Sequence, residues 1–435
     1  VREIKYDEVK KFAKNFRADP QARLAQNAIT QNSVATVAEN RDIINSFDTS
    51  MSVRVDKWKV TNQKQSGRCW LFSGLNSFKK EITSVTGVKN FEFSQAYPHF
   101  WDKLEKANYF LSAMIDLADR PADDRLVSHL LFKPIEDGGQ WNMFVALINK
   151  YGAVPKYAMP ETESSSNTKL MNRSLEMLLR KAARDIRQAD PEKRDEIREA
   201  AVADVYRILA IHLGTPPSEF LWQYEDKDGN FRRKGVMTPQ AFATRFFPNI
   251  NEYVCIVNDP RNEYGKLYTV EYLGNVVGAK PVTYLNVPID VMKKATIATL
   301  KNGEPVWMGC DTGKQSDRER GIWDGALYDF EGTYGVEMEM GKADSLVYGE
   351  ALMTHAMVFT GVDLDEDGKP RRWRVENSWG DAIGDKGFFT MNDSWFEPHV
   401  FEVAVRRSYV PAEYLDALAG EVKTLPAWDP MGALA

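Results

Sequence analysis

Leu71, Leu75, Phe78, Ile82 and Val85 recur at spacings of four, three, four and three, the period of one helix face. Gly87 supplies a stop, and Ser66 stands where an N-cap belongs. Cys69 then falls in the first helical turn. Residues 91–151 continue in helical texture. Two more helices are predicted over 169–213, broken at Asp190-Pro191 because proline has no N–H to donate. Their charged faces mark a helical insertion on the surface. Residues 1 to about 50 read as a polar helical arm packed on something else. After about residue 253 the runs YTVEYLGNVV, PVWMG, AMVFTGVDL, RWRVENSW and FEVAVRRSYV are strand-like, with turn signals between them. Helices first and strands afterwards predict an α+β fold. The final 25 residues hold three prolines and end in PAWDPMGALA, which reads as a docked extension.

Composition narrows the function without naming it. The 435 residues are 43% hydrophobic and carry a net charge of −6, which gives no overall pull towards nucleic acid or acidic membranes. No apolar run approaches the roughly 18 residues of a membrane span. The N-terminal stretch VREIKYDEVKKFAKNF is charged throughout, so no secretory signal is expected. Three cysteines, Cys69, Cys255 and Cys310, are too few for a disulfide framework in this length. A reducing compartment, the cytoplasm, is the expected location.

The candidate chemistry gathers in Gln63-Lys64-Gln65-Ser66-Gly67-Arg68-Cys69-Trp70. A thiol in a first helical turn meets the positive end of the helix dipole and its unpaired N–H groups. Both favour thiolate, so the Cys69 pKa is expected to fall. The same turn offers a backbone N–H to an oxyanion, and Gln63 can add a side-chain amide. A free cysteine taken alone is more often a packing residue, so a nucleophile also needs a proton carrier and a group to orient it. Of the five histidines, His355 stands at the mouth of a strand-like run, and Asn377 belongs to the next. Asp365-Glu366-Asp367-Gly368-Lys369 between them reads as a hairpin turn. One hairpin can therefore set the carboxamide beside the imidazole, accepting from or donating to it and fixing its tautomer. His99, His129, His212 and His399 read as ordinary surface or core residues.

Q-x-x-x-G-x-C-W, a strand-borne histidine and N-S-W-G together resemble the papain family. SGRCWLF, FSQAYPHFWDKLEKANYF, DGGQWNM, GEALMTHAM, RVENSWG and WDPMGALA resemble its intracellular branch, the bleomycin hydrolase and aminopeptidase C family. The resemblance implies a two-lobe papain-like fold with an N-terminal arm (1–50), a helical lobe carrying the nucleophile (51–160) and a helical insertion (161–252). A β-rich lobe carrying His and Asn (253–410) and a C-terminal arm ending in the cleft (411–435) complete it. It implies Cys69 as nucleophile, His355 as its partner, Asn377 as orienting group, and Gln63 with the Cys69 N–H as oxyanion hole. Trp379 would shield the His355–Asn377 contact. Gly138 and Gly139 would bind the substrate backbone. The Ala435 carboxylate would pair with a peptide α-amine, making the enzyme an aminopeptidase. Peptide substrates, a homohexamer and no cofactor are further implications.

Two departures from secreted relatives fit this branch. Ser66 replaces a disulfide cysteine. His355 follows Cys69 by 286 residues, against about 130–150 in the secreted enzymes. Rival readings are an endopeptidase with a displaced tail, a catalytically dead scaffold and a nucleic-acid-binding regulator. The acidic charge argues against the last, and the intact Gln63, Cys69, His355 and Asn377 set against the scaffold. Asp363-x-Asp365-x-Asp367-Gly368 mimics a calcium loop, but Arg374 stands at its twelfth position and the flanks are strand-like. No metal site is expected, and Cys255 and Cys310 read as packing residues.

Overall fold

In this computed structural model, residues 1–88 and 90–434 are described. The amphipathic segments form helices that bury their apolar stripes against one another. Lys169–Gln188 buries Met171, Leu175, Leu179, Ala182, Ala183 and Ile186, a spacing that follows the helical period. Arg194–Leu213 packs beside it, and a 3-10 turn at Pro191–Lys193 makes the break predicted at Asp190-Pro191. Both pack on the long helix Ala96–Asp116 and share a core with Trp70, Phe78, Trp141 and Phe144. The two helices thus form a surface element with one face in the core.

The predicted helix from Ser66 to Gly87 is instead two helices, Cys69–Asn76 and Lys79–Thr86. The helix breaks before Phe78, the apolar stripe stays buried through Ile82, and Val85 is exposed. Gly87 does stop the second helix, in the left-handed region at φ 71°. Ser66 is not the cap. Arg68 holds that position, while Ser66 Oγ donates to the Gln63 carbonyl at 2.7 Å.

The β-rich part is a twelve-stranded sheet. At its centre, His355–Leu364 lies between Val306–Cys310 and Pro370–Glu376, antiparallel to both. Its apolar face packs on the helix Ile289–Lys301 and on Trp373, Phe389 and Phe396. The turn at 365–369 closes as predicted: the Asp365 N–H donates to the Lys369 carbonyl at 2.9 Å, with Gly368 at φ 78°. Asp363, the first residue of the calcium-loop mimic, pairs with Arg372 across the hairpin. A two-stranded hairpin, Phe220–Glu225 with Phe231–Met237, stands inside the segment expected to be helical. Its turn signal, Asp226-Lys227-Asp228-Gly229, is legible, and FLWQYE before it is strand-like, whereas the charged FRRKGVM after it does not stand out.

The tail docks on the molecule. Val422–Leu425 runs parallel to Lys266–Val270, and Trp428 lies 3.8 Å from the Arg125 guanidinium. The arm touches the body through Gln21, which donates to the Gly332 carbonyl at 2.8 Å. Its first helix, Tyr6–Ala18, buries no residue.

Candidate active site

Cys69 is the first residue of its helix, so the free N–H groups of that turn surround the sulfur. The helix rests on the central strand: Ser73 Oγ donates to the Ala356 carbonyl at 3.0 Å, and the Ala356 N–H faces the Cys69 sulfur. Ala356 follows His355, so this packing brings candidate nucleophile and candidate base to one place. His355 Nε2 donates to Asn377 Oδ1 at 2.9 Å. The Ser378 N–H donates to the same oxygen at 2.8 Å, which identifies it as the acceptor. The Nε2–H tautomer follows, leaving Nδ1 free. Trp379 stacks on the imidazole with ring centroids 4.9 Å apart, and Arg318 lies over the outer indole face at 4.5 Å.

Gln63 joins the same network from the other side. The Gln63 N–H donates to the Ser378 carbonyl at 2.8 Å, and the Gly380 N–H to the Thr61 carbonyl at 3.0 Å. Ser378 Oγ donates to Gln63 Oε1, and Gln63 Nε2 donates to the Ser66 carbonyl, both at 2.5 Å. With the oxygen held by Ser378, the amide nitrogen is directed towards the nucleophile loop. Ser378 was missed as a site residue. It lies inside N-S-W-G, and only the fold shows that its hydroxyl orients Gln63.

The loop before Cys69 is held by charge. Arg68 is fully buried and pairs with Glu161 through two hydrogen bonds, at 3.1 and 2.7 Å. Asp137 accepts from the Gly67 N–H at 3.1 Å, from Thr168 Oγ1 at 2.5 Å and from Asn172 Nδ2 at 2.9 Å. It also pairs with the buried Lys103 ammonium at 2.7 Å. Burial opposes the Asp137 charge, yet the Lys103 ammonium and the Thr168 hydroxyl outweigh it and hold the carboxyl well below the usual range. Gly138 gives its carbonyl to Lys106 Nζ at 2.6 Å. Gly139 packs so closely on Trp70 that an added Cβ would lie 2.5 Å from the indole. Its lack of a side chain therefore has a packing cause, whatever it does for substrate.

The expected fall of the Cys69 pKa is not what this environment produces. Burial pushes the thiol up to about 11, against the N–H groups of Ala356, Trp70 and Cys69 itself. Burial likewise pushes His355 down to about 4; the Asn377 bond opposes this and Arg318 adds to it. Burial thus disfavours the charge on each group taken alone.

Cys255 and Cys310 are buried strand residues; Cys255 Sγ donates to Asn142 Oδ1 at 2.9 Å. A cavity of about 500 Å³ lies next to the site, bordered by Lys106, Glu136, Tyr272, Leu352 and Leu434. Its walls do not include Cys69 or His355. Ala435 lies outside the described residues. Among the described residues, no helix is long and apolar enough to cross a membrane.

A helix-borne thiol against a hairpin-borne imidazole suits a cysteine-dependent hydrolase. A model of the Peptidase C1-like family matches residues 3–432. The chain is 42% identical over 437 residues to an aminopeptidase C of Streptococcus thermophilus, covering 99% of this chain and 98% of that one. Identity to human bleomycin hydrolase is 42% over 446 residues, with 99% and 98% covered. The crystal structure of PepW from Lactobacillus rhamnosis HN001 aligns at a TM-score of 0.97 and 44% identity, over 100% of this chain and 99% of that one. The chain belongs to the Peptidase C1-like family, and both the α+β papain-like fold and the resemblance read from its sequence are borne out.

Proposed function

We propose that this chain is a cysteine aminopeptidase that releases residues singly from the N-terminus of peptides. Relatives named aminopeptidase C, alike over nearly their whole length, support the activity. The observation that carries the mechanism is the 2.9 Å bond from His355 Nε2 to Asn377 Oδ1, beside a cysteine at a helix start. Cys69 transfers its proton to His355 and attacks the first peptide carbonyl. The Cys69 N–H and Gln63 hold the developing oxyanion. His355 gives the proton to the leaving amine, then takes one from water as the thioester is hydrolysed. Asn377 orients His355, and Trp379 keeps water from their bond. Gly138 and Gly139 align the substrate backbone. The Ala435 carboxylate pairs with the free α-amine and ends the cleft.

Digestion of a free and an N-acetylated peptide, read by mass spectrometry, tests this reading. Release of single residues from the free peptide alone is expected. Internal cleavage of both would make the chain an endopeptidase. Cys69→Ala should lower turnover at least about 10³-fold with the fold retained; full activity would remove the nucleophile assignment.

The free cysteines fit a cytoplasmic location. The exposed Val9, Phe12 and Phe16 on the arm helix form an uncovered apolar ridge, which supports self-association as a homohexamer. Light scattering near six times 49.5 kDa is expected; a monomer mass would remove this assignment.

A further inference from the structure

Gln140 occupies the N-cap position of the helix Trp141–Tyr151, yet its side chain makes no cap bond there. Its Nε2 donates instead to the Ala433 carbonyl at 2.5 Å, across 293 positions of sequence. The residue is fully buried, and Oε1 has no partner among the described residues. The tail just upstream is pinned by other groups. Arg261 pairs with Asp429 at 2.8 Å, and the Tyr284 hydroxyl donates to the Met431 carbonyl at 3.1 Å. Gly432 lies on Val270, where an added Cβ would sit 2.9 Å from Cγ1. These anchors all belong to the β-rich side. On the helical side the tail meets Arg125 through Trp428 and, at Ala433, Gln140.

Gln140 is also close to the nucleophile loop. It follows Gly139, which packs on Trp70, and Trp70 Nε1 donates to the Asp137 carbonyl at 2.7 Å. The segment 137–140 therefore touches both the nucleophile helix and the tail. A donor on this segment fixes where the last residues lie relative to Cys69.

We propose that Gln140 is a specificity-determining residue: its bond to the Ala433 carbonyl sets how far the tail reaches into the cleft, and so confines cleavage to the first peptide bond. This rests on the reading of the tail as the end of the cleft. The upstream anchors hold 429–432 without Gln140, so its loss frees only the last residues. Gln140→Met keeps the chain length and removes both the donor and the unpartnered oxygen.

The test uses four full enzymes: the natural chain, Gln140→Met, a chain lacking Ala433–Ala435, and the two changes combined. Each digests a free and an N-acetylated peptide. Gln140→Met should raise the ratio of N-acetylated to free cleavage by about five- to tenfold, the equivalent of one hydrogen bond. In the shortened chain it should add nothing, because its target is gone. A raised ratio on shortening with none in Gln140→Met overturns the role of Gln140 and leaves the tail reading intact. No change on shortening overturns both. Equal losses on both peptides in both backgrounds mark Gln140 as structural and overturn the proposal. If Gln140→Met does not fold, the near-isosteric Gln140→Glu is judged on the same ratio at neutral pH, where its carboxylate faces the Ala433 carbonyl.

Discussion

The two sides of the site are held by different physics. On the helical side, ions position the Cys69 loop. Arg68 meets Glu161 93 positions away, and Gly67 meets Asp137 70 positions away, with Lys103 buried among them. On the β side, His355 is held by a carboxamide 22 positions away across one hairpin and by a stacked indole, and the carboxamide in turn accepts from the Ser378 N–H. A buried ion left without its partner is costly, whereas a neutral hydrogen bond is worth about 1 kcal/mol. Damage on the helical side should therefore appear as lost stability. Damage on the β side should appear as lost turnover.

The hardest test of this contrast is Asp137→Asn, which leaves the buried Lys103 ammonium without its counter-charge. A loss of about 3–5 kcal/mol in urea unfolding is expected. A loss under about 1 kcal/mol would mean that the ionic side is no more costly to disturb than the neutral one.

Next comes acid. Burial depresses His99, His355 and His399, the last two to about 4. A depressed folded pKa gives stability that is complete above the unfolded value near 6.5 and lost as pH falls towards 4. Melting temperature should drop steeply across that window, with up to about 3 kcal/mol from each of His355 and His399. His399→Gln should flatten part of the drop while activity at pH 7 is unchanged, because His399 packs at a tilt on Trp395, ring centroids 4.7 Å apart, outside the His355–Asn377–Ser378 bonds. An equally steep drop in the variant would remove His399 from the account.

A smaller stability change is expected from Ser378→Ala. It frees the Gln63 amide at a cost of about 1 kcal/mol, while kcat should fall about tenfold or more through the oxyanion contact. Equal kcat with lowered stability would invert the contrast. The smallest effect belongs to removal of residues 1–18, whose helix buries nothing. Chemical stability of the subunit should change by less than about 0.5 kcal/mol, while the mass by light scattering falls.

Legibility followed the range of each interaction. The 365–369 turn, the break at Pro191 and the stop at Gly87 were readable because local backbone chemistry decides them. Ser66 misled as a cap because its hydroxyl turns back to Gln63, a choice set by the loop's pairing with 378–380. The Phe220–Met237 hairpin escaped because its second strand carries Arg232, Arg233 and Lys234 in a row, and Ser378 because its hydroxyl partner is 315 positions away.

The amino-acid order alone determined that a cysteine begins a helix and that a histidine and an asparagine share a hairpin. Period, proline and glycine act within a few residues, and a 22-residue hairpin closes on itself. Tertiary structure decided how deeply those groups are buried. The expectation of a lowered thiol pKa rested on the helix end, which is local. Burial, which depends on every element packed around Cys69, pushed it the other way. The Asp137 hub and the Gln140 contact with the tail are likewise products of the whole fold, because partners far apart in sequence meet only after the core has closed.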